Sequence, residues 1–250
     1  MHTQNEIDID IRQLITNSLI EWDGKVAAVV VTAGCNWRCP YCHSWRFVKA
    51  DGIRTMDKID PDTVLSLLER QQGWINGVVI SGGEPTLQPG LIKFAREVKK
   101  KKVKIKLHTN GSRPTVIEQM MSEGLLDCLS LDFKVPIDMR LYDMAGRSEA
   151  TLVHDVWGSF HLAEIAPHRG IEVEYHTTLC PKYIDINTFE QMAGWLHPAG
   201  LWILQQYEPT DVLNSEKAGF KQYTMEELEE FKNVAERAGY RVHLRTGHTL

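Results

Sequence analysis

The feature that most limits what this chain can fold into is a recurring alternation. Short β-branched, apolar runs are each followed by a stretch with helical periodicity. Residues 25–32 read as a first strand, apolar almost throughout, as expected for a strand buried on both faces of a parallel sheet. Residues 61–70 read as a helix, with Asp60 as N-cap and Pro61 at the first helical position. The pattern continues with strands over 77–81, 103–109, 128–133, 171–179, 201–207 and 241–244. Between them, helices are predicted over 91–100, 114–123, 148–166, 186–196 and 225–238. Gly124 and Gly239 are placed to end two of these helices, and Thr224 to cap the last. Such an order predicts an α/β fold with a mainly parallel sheet and right-handed crossovers. No Pro/Gly/Ser-rich linker interrupts the 250 residues, so one domain is expected over 25–250, with 1–24 as an N-terminal appendage.

Composition narrows the function classes. A net charge of −5 gives no reason to expect a nucleic-acid partner. The longest fully apolar run, 26–31, is far too short to span a bilayer, and the polar N-terminus lacks a signal-peptide pattern, so the expected location is cytoplasmic, with no membrane partner. The cysteines number five, three of them clustered, which suits a metal site in a reducing compartment better than a disulfide framework. The lysine run 99–102 reads as a solvated helix end that complements the helix dipole, with a partner-docking patch as the minority reading.

The clustered cysteines are Cys35, Cys39 and Cys42, in Gly34-Cys-Asn-Trp-Arg-Cys-Pro-Tyr-Cys-His43, just after the first strand. A four-iron cluster takes one ligand per iron, so three thiols would leave one iron open to bind a reactant. Other readings use only part of the pattern. Cys39-Pro-Tyr-Cys42 alone resembles a dithiol redox motif but leaves Cys35 unexplained. Cys39 to His43 alone resembles a c-type haem attachment, which belongs to an exported context. Zinc held by the three cysteines and His43 would require the adjacent Cys42 and His43 to turn onto one ion. Cys128 and Cys180 lie apart from the cluster and from each other and read as ordinary buried thiols.

The Cys-x3-Cys-x2-Cys spacing, together with Ser81-Gly-Gly-Glu-Pro-Thr86 after the second predicted strand, resembles the radical S-adenosylmethionine superfamily. Two glycines permit close backbone approach to a ligand, and the carboxylate beside them can accept from an ammonium. Within that superfamily the chain resembles the activating enzymes of glycyl-radical proteins, above all the group acting on anaerobic ribonucleoside-triphosphate reductase. The likeness rests on Ser18-Leu-Ile-Glu-Trp-Asp-Gly-Lys25, the cysteine segment, Val78-Val-Ile-Ser-Gly-Gly-Glu-Pro-Thr-Leu-Gln88, Thr109-Asn-Gly111, Asp132-Phe-Lys134 and Leu204-Gln-Gln-Tyr207.

The resemblance implies a partial (β/α)6 TIM-like barrel and a [4Fe-4S] cluster on Cys35, Cys39 and Cys42. It also implies reductive cleavage of S-adenosylmethionine to methionine and a 5′-deoxyadenosyl radical, and removal of a glycine Cα hydrogen from a partner protein. Gly82, Gly83 and Glu84 would meet the methionine amino group. Thr109, Asn110, Asp132 and Lys134 would line the same pocket, with Lys134 available to the methionine carboxylate, and Tyr41 would stack near adenine. No catalytic residue beyond the cluster and S-adenosylmethionine ligands is implied. The family also associates a monovalent cation with the ends of the 103–109 and 128–133 strands, and a reduced flavodoxin or ferredoxin-type protein as electron donor. Two positions depart from the family pattern: His108 stands where related activases often carry Asp, and His176 where they tend to carry Arg. His176 is therefore a candidate for holding the carboxylate or the partner. Two alternatives follow: a radical S-adenosylmethionine enzyme acting on a small molecule, peptide or nucleotide, and a non-catalytic zinc or iron–sulfur binding module.

Overall fold

The mixed segment Ile11–Ser18 forms the first strand, β1, and runs antiparallel to β2, Ala27–Thr32. The sequence reading leaves this segment in an appendage, because only Ile11 and Ser18 of β1 are buried while Thr16 and Asn17 are exposed. A strand at a sheet edge shows polar residues to solvent and so loses the apolar signal. The fold is described from a computed structural model, for residues 7–146, 151–195 and 200–247. The chain divides into two compact units. The first comprises residues 1–36, 46–109 and 115–128, the second 37–45, 110–114 and 129–250.

In chain order the first unit carries β1, β2, α1 (Ala50–Arg54), α2 (Pro61–Arg70), β3 (Gly77–Gly82), α3 (Leu91–Lys100), β4 (Lys104–Thr109) and most of α4 (Pro114–Ser122). All six residues of β2 are buried, as its apolar run implies. β2 pairs in parallel with β3, and β3 with β4. The β2–β3 register runs without a slip from Ala27 beside Gly77 to Thr32 beside Gly82, so both strands end at the same level. α2 keeps its predicted bounds, with the Asp60 side chain accepting from the Asp62 amide at 2.9 Å. One face of the sheet buries Trp22, Ala27, Val29, Val31, Val79 and Cys128 together, with Ile15 and Phe47 against them. Lys106, in the middle of β4 and 1% exposed, is accommodated because its Nζ donates to the Glu21 carbonyl at 2.7 Å. The lysine run pairs locally: Lys99 with Asp127, Lys100 with Glu97 and Lys101 with Glu69.

The second unit contains most of β5 (Cys128–Asp132), then α5 (Arg140–Ala145), α6 (Leu152–Ile165), β6 (Glu172–Leu179), α7 (Ile186–Ala193), β7 (Leu201–Gln206), α8 (Ser215–Ala218), α9 (Met225–Arg237) and β8 (Arg241–Arg245). The predicted start of α6 at 148 and end of α7 at 196 fall outside the described residues. β6, β7 and β8 pair in parallel in chain order. α9 begins with a reciprocal capping box between Thr224 and Glu227. The core here is aromatic: Phe133 meets Phe160 and Trp202, Phe160 stacks on Tyr175, and Phe189 stacks on Trp202. Parallel strands alternating with helices make this an α/β fold, as the sequence pattern predicts. No helix among the described residues is long and apolar enough to cross a membrane.

Candidate active site

In the first unit, the level ends of β2 and β3 bring two loops together. The Gly83 amide donates to the Thr32 carbonyl at 2.9 Å and the Glu84 amide to the Gly34 carbonyl at 2.7 Å. A Cβ on Gly83 would stand 2.0 Å from the Gly34 oxygen and 3.2 Å from the Cys35 nitrogen. One on Gly82, whose φ is +127°, would stand 2.2 Å from the Thr32 oxygen. By sequence, these glycines are expected to permit close approach to a ligand. In the structure their bare backbone also lets the Gly-Gly-Glu turn lie directly on the loop that carries Cys35.

Glu84 is fully buried. Its Oε1 accepts from the Thr86 hydroxyl at 2.5 Å, the Thr109 hydroxyl at 2.6 Å and the Thr86 amide at 3.1 Å. A carboxylate removed from water needs such donors to remain ionised. Thr109 thus ends β4 with its hydroxyl on Glu84. A further brace escaped the sequence reading: the Gln88 side-chain amide donates to the Ala33 carbonyl at 2.6 Å, and its oxygen accepts from the Asp10 amide at 2.8 Å. The Ala33 amide in turn donates to the Asp10 carbonyl. Residues just before β1 therefore steady the chain two positions ahead of Cys35.

The second unit holds Cys39, Tyr41 and Cys42 on a loop tied at several points. The Cys42 amide donates to the Cys39 carbonyl, the Leu213 amide to the Cys42 carbonyl, the Asn214 amide to the Pro40 carbonyl, and the Arg38 amide to the Ala145 carbonyl. Tyr41 is buried, with its ring met edge-on by Tyr183 at 6.0 Å and Tyr207 at 6.4 Å between centroids. Among the described residues its hydroxyl has no hydrogen-bond partner. Burial raises its pKa well above the usual tyrosine range, against the pull of the Lys134 ammonium.

Lys134 forms an ion pair with Asp132 at 2.9 Å. Burial alone would lower its pKa, but the Asp132 carboxylate, with Cys39 and Tyr41 adding to it, carries it well above the ordinary lysine value. Lys134 therefore stays an ammonium. The Cys42 thiol is raised by burial and pulled back in part by Lys134.

Phe133 packs on Phe160 of α6 and on Trp202, so strand alternation turns Asp132 to the opposite face. Tyr175 likewise stacks on Phe160, which turns Glu174 and His176 away from the helices. The Phe133 amide donates to the His176 carbonyl at 2.8 Å, making the two segments neighbours. His176 Nε2 lies 3.3 Å from Glu174 Oε2. Glu174 was not singled out from the sequence, although its place two residues before His176 in a strand puts both on one face.

Asn110 is turned to local use: its Oδ1 accepts from the Ser112 amide at 2.9 Å, beside Gly111, whose carbonyl accepts from the Ser159 hydroxyl. Within the first unit the structure therefore joins the Cys35 loop to Gly82 and Gly83, and Glu84 to Thr109. Within the second it places Asp132 and Lys134 in electrostatic reach of Tyr41 and Cys42. Cys128 and Cys180 are buried, and the Cys180 thiol, pushed up by burial to about 11, donates to the Ala218 carbonyl at 3.4 Å.

Three free thiols are the donor chemistry an iron–sulfur cluster takes. No cysteine is in a disulfide, and the loops bearing Cys35, Cys39 and Cys42 are fixed by backbone hydrogen bonds on both sides. In the first unit the buried Glu84 carboxylate suits an amine; in the second, by itself, the mostly buried Lys134 ammonium suits a carboxylate.

Comparison with known proteins agrees with this chemistry. The radical SAM superfamily model matches residues 29–195. A protein of Methanocaldococcus jannaschii, provisionally named a glycyl-radical enzyme activating enzyme, is 31% identical over 238 residues, covering 93% of this chain and 94% of its own. A probable GTP 3′,8-cyclase of Pyrococcus abyssi is 28% identical over 46% of this chain and 36% of its own. Among solved structures, a radical SAM methyltransferase from Sphaerobacter thermophilus superposes with a TM-score of 0.68 at 14% identity, covering 90% of this chain and 67% of that one; at that identity it speaks for the fold alone.

Proposed function

This chain belongs to the radical SAM superfamily, and on that premise we propose that it generates a glycyl radical on a partner protein such as an anaerobic ribonucleotide reductase. The observation that carries the reading is the first-unit contact in which Glu84, buried and hydrogen-bonded, sits on a turn laid against the Cys35 loop. Cys35, Cys39 and Cys42 would hold a [4Fe-4S] cluster. When bound, that cluster supplies the electron that breaks a sulfur–carbon bond of S-adenosylmethionine, leaving methionine and a 5′-deoxyadenosyl radical.

The protein's own residues bind and orient. Gly82 and Gly83 let the turn approach, Glu84 accepts from the methionine ammonium, and Lys134 meets the methionine carboxylate while Asp132 keeps it charged. Tyr41, with Tyr183 and Tyr207 against it, keeps water from the cysteine loop. The glycine of the partner gives a hydrogen atom to the radical, forming 5′-deoxyadenosine and a glycyl radical. The name of the 31% identical relative supports this substrate class.

Reconstituted enzyme, a low-potential reductant, S-adenosylmethionine and the partner should yield the spin-resonance signal of a glycyl radical, and Cys39→Ala should yield neither cluster nor 5′-deoxyadenosine. Deoxyadenosine formed at the normal rate by Cys39→Ala would overturn the cluster assignment. A second reading, a small-molecule or nucleotide substrate, is favoured by Glu174 and His176. A carboxylate–imidazole pair can move a proton on a small substrate, a role that abstraction of a glycine hydrogen atom leaves unused. Deoxyadenosine formation stimulated by a nucleotide, without any glycyl signal, would favour it.

A further inference from the structure

Glu84 would be of little use as an acceptor if its carboxyl were free to rotate. Glu84 has no exposure to solvent, so its carboxyl depends on hydrogen bonds supplied by the protein. Three donors converge on one oxygen, Oε1: the Thr86 hydroxyl at 2.5 Å, the Thr109 hydroxyl at 2.6 Å and the Thr86 amide at 3.1 Å. Thr86 belongs to the turn that Glu84 itself caps, and Thr109 to the end of β4, so the oxygen is gripped by two separate elements. A single local contact would fix only the position of the carboxylate along its own turn. The second, from a neighbouring strand, also fixes its rotation.

We propose that Thr86 and Thr109 are positioning residues that hold the Glu84 carboxylate in place and aimed at the ammonium of S-adenosylmethionine. This assigns Thr109 a role through Glu84, where the family resemblance implied a place in the pocket wall, and it brings in Thr86, to which no role had been given. It rests on the reading that Glu84 receives the methionine ammonium. A threonine hydroxyl is suited to the task because its donor strengthens a charged acceptor, while valine has the same shape without the donor.

The test is the binding of S-adenosylmethionine to reconstituted enzyme, followed by equilibrium titration. Iron and sulfide content and thermal unfolding of each variant are measured alongside. Thr109→Val is expected to weaken binding about tenfold, the loss of one charge-assisted hydrogen bond. Cluster content should be unchanged, and Thr109→Ser should restore binding to within about threefold of the parent. In turnover the valine variant should raise KM with kcat little changed. Thr86→Val removes a different donor to the same oxygen and should weaken binding likewise, which keeps the test open if Thr109→Val does not fold.

Valine variants that bind as the parent does, or a serine variant as weak as the valine, would overturn the positioning role. Glu84→Gln separates that failure from the failure of the premise. If Glu84→Gln binds normally, the assignment of Glu84 is wrong; if it binds weakly while Thr109→Val and Thr86→Val bind normally, only the positioning role falls.

Discussion

The two stretches that carry the cysteines are built by different means. Around Cys35, in the first unit, precision comes from backbone: strands ending level, amides on carbonyls, and glycines with no room for a side chain. Around Cys39 and Cys42, in the second, backbone ties are joined by side chains: three tyrosine rings and an ammonium paired with a carboxylate. A backbone fit tolerates no added atom, whereas a side-chain environment can relax around a change. Substitutions in the first region should therefore act as an on–off failure, and those in the second as graded shifts.

The largest expected effect tests the first half of that contrast. Gly83→Ala places a methyl group 2.0 Å from the Gly34 oxygen, so the turn and the Cys35 loop must separate. Iron and sulfide incorporated on anaerobic reconstitution should fall to about a tenth or less, an all-or-none response to a contact no backbone can absorb. Normal cluster content in this variant would end the claim that backbone contact sets the first region. Next in size, Lys134→Met should raise the dissociation constant for S-adenosylmethionine about tenfold by removing a buried ammonium, with cluster content retained. Complete loss of the cluster would show the second region to be as brittle as the first.

Gln88→Leu removes both hydrogen bonds by which Gln88 braces Ala33 and Asp10, leaving only their direct backbone bond, and should lower stability by about 2 kcal/mol in denaturant titration. Tyr41→Phe should be neutral or stabilising by up to about 1 kcal/mol, because the hydroxyl it removes is buried without a partner among the described residues. A loss above that would mean the hydroxyl is engaged after all.

The smallest effect concerns alkaline pH. The Cys180 thiol is raised by burial from 9.0 to about 11, so on unfolding it releases a proton more readily than in the folded chain. Its contribution is whole below about 9 and is lost as pH climbs through about 11. Cys180→Ala should flatten that part of the stability profile relative to the parent.

The same contrast explains what could be read from the sequence. Backbone-determined features were visible where they leave a composition mark. Asp60-Pro61 marked the start of α2, the apolar run marked β2, and Gly82-Gly83 marked the turn. The cysteine spacing and the Gly-Gly-Glu segment pointed to the radical SAM superfamily, to which the chain belongs. β1 stayed hidden because its exposed residues mask the apolar ones, and Gln88 because a bridge between residues 10 and 33 depends on strand pairing that no local pattern reports. Glu174 was legible in principle from strand alternation, but its partnership with His176 needs the distance between them. The triple grip on Glu84 is likewise three-dimensional, since Thr109 is 25 positions away.

The level ending of β2 and β3 has a consequence for anyone recombining such enzymes. The segment through Cys35 and the segment through Glu84 interlock atom to atom, so each is the mould in which the other is cast. A chimera that exchanges one without the other should misassemble even when both parents are active, while exchange of residues 27–35 and 77–88 together should be tolerated. In this chain the heritable module is the pair of loops, not the cysteine motif by itself.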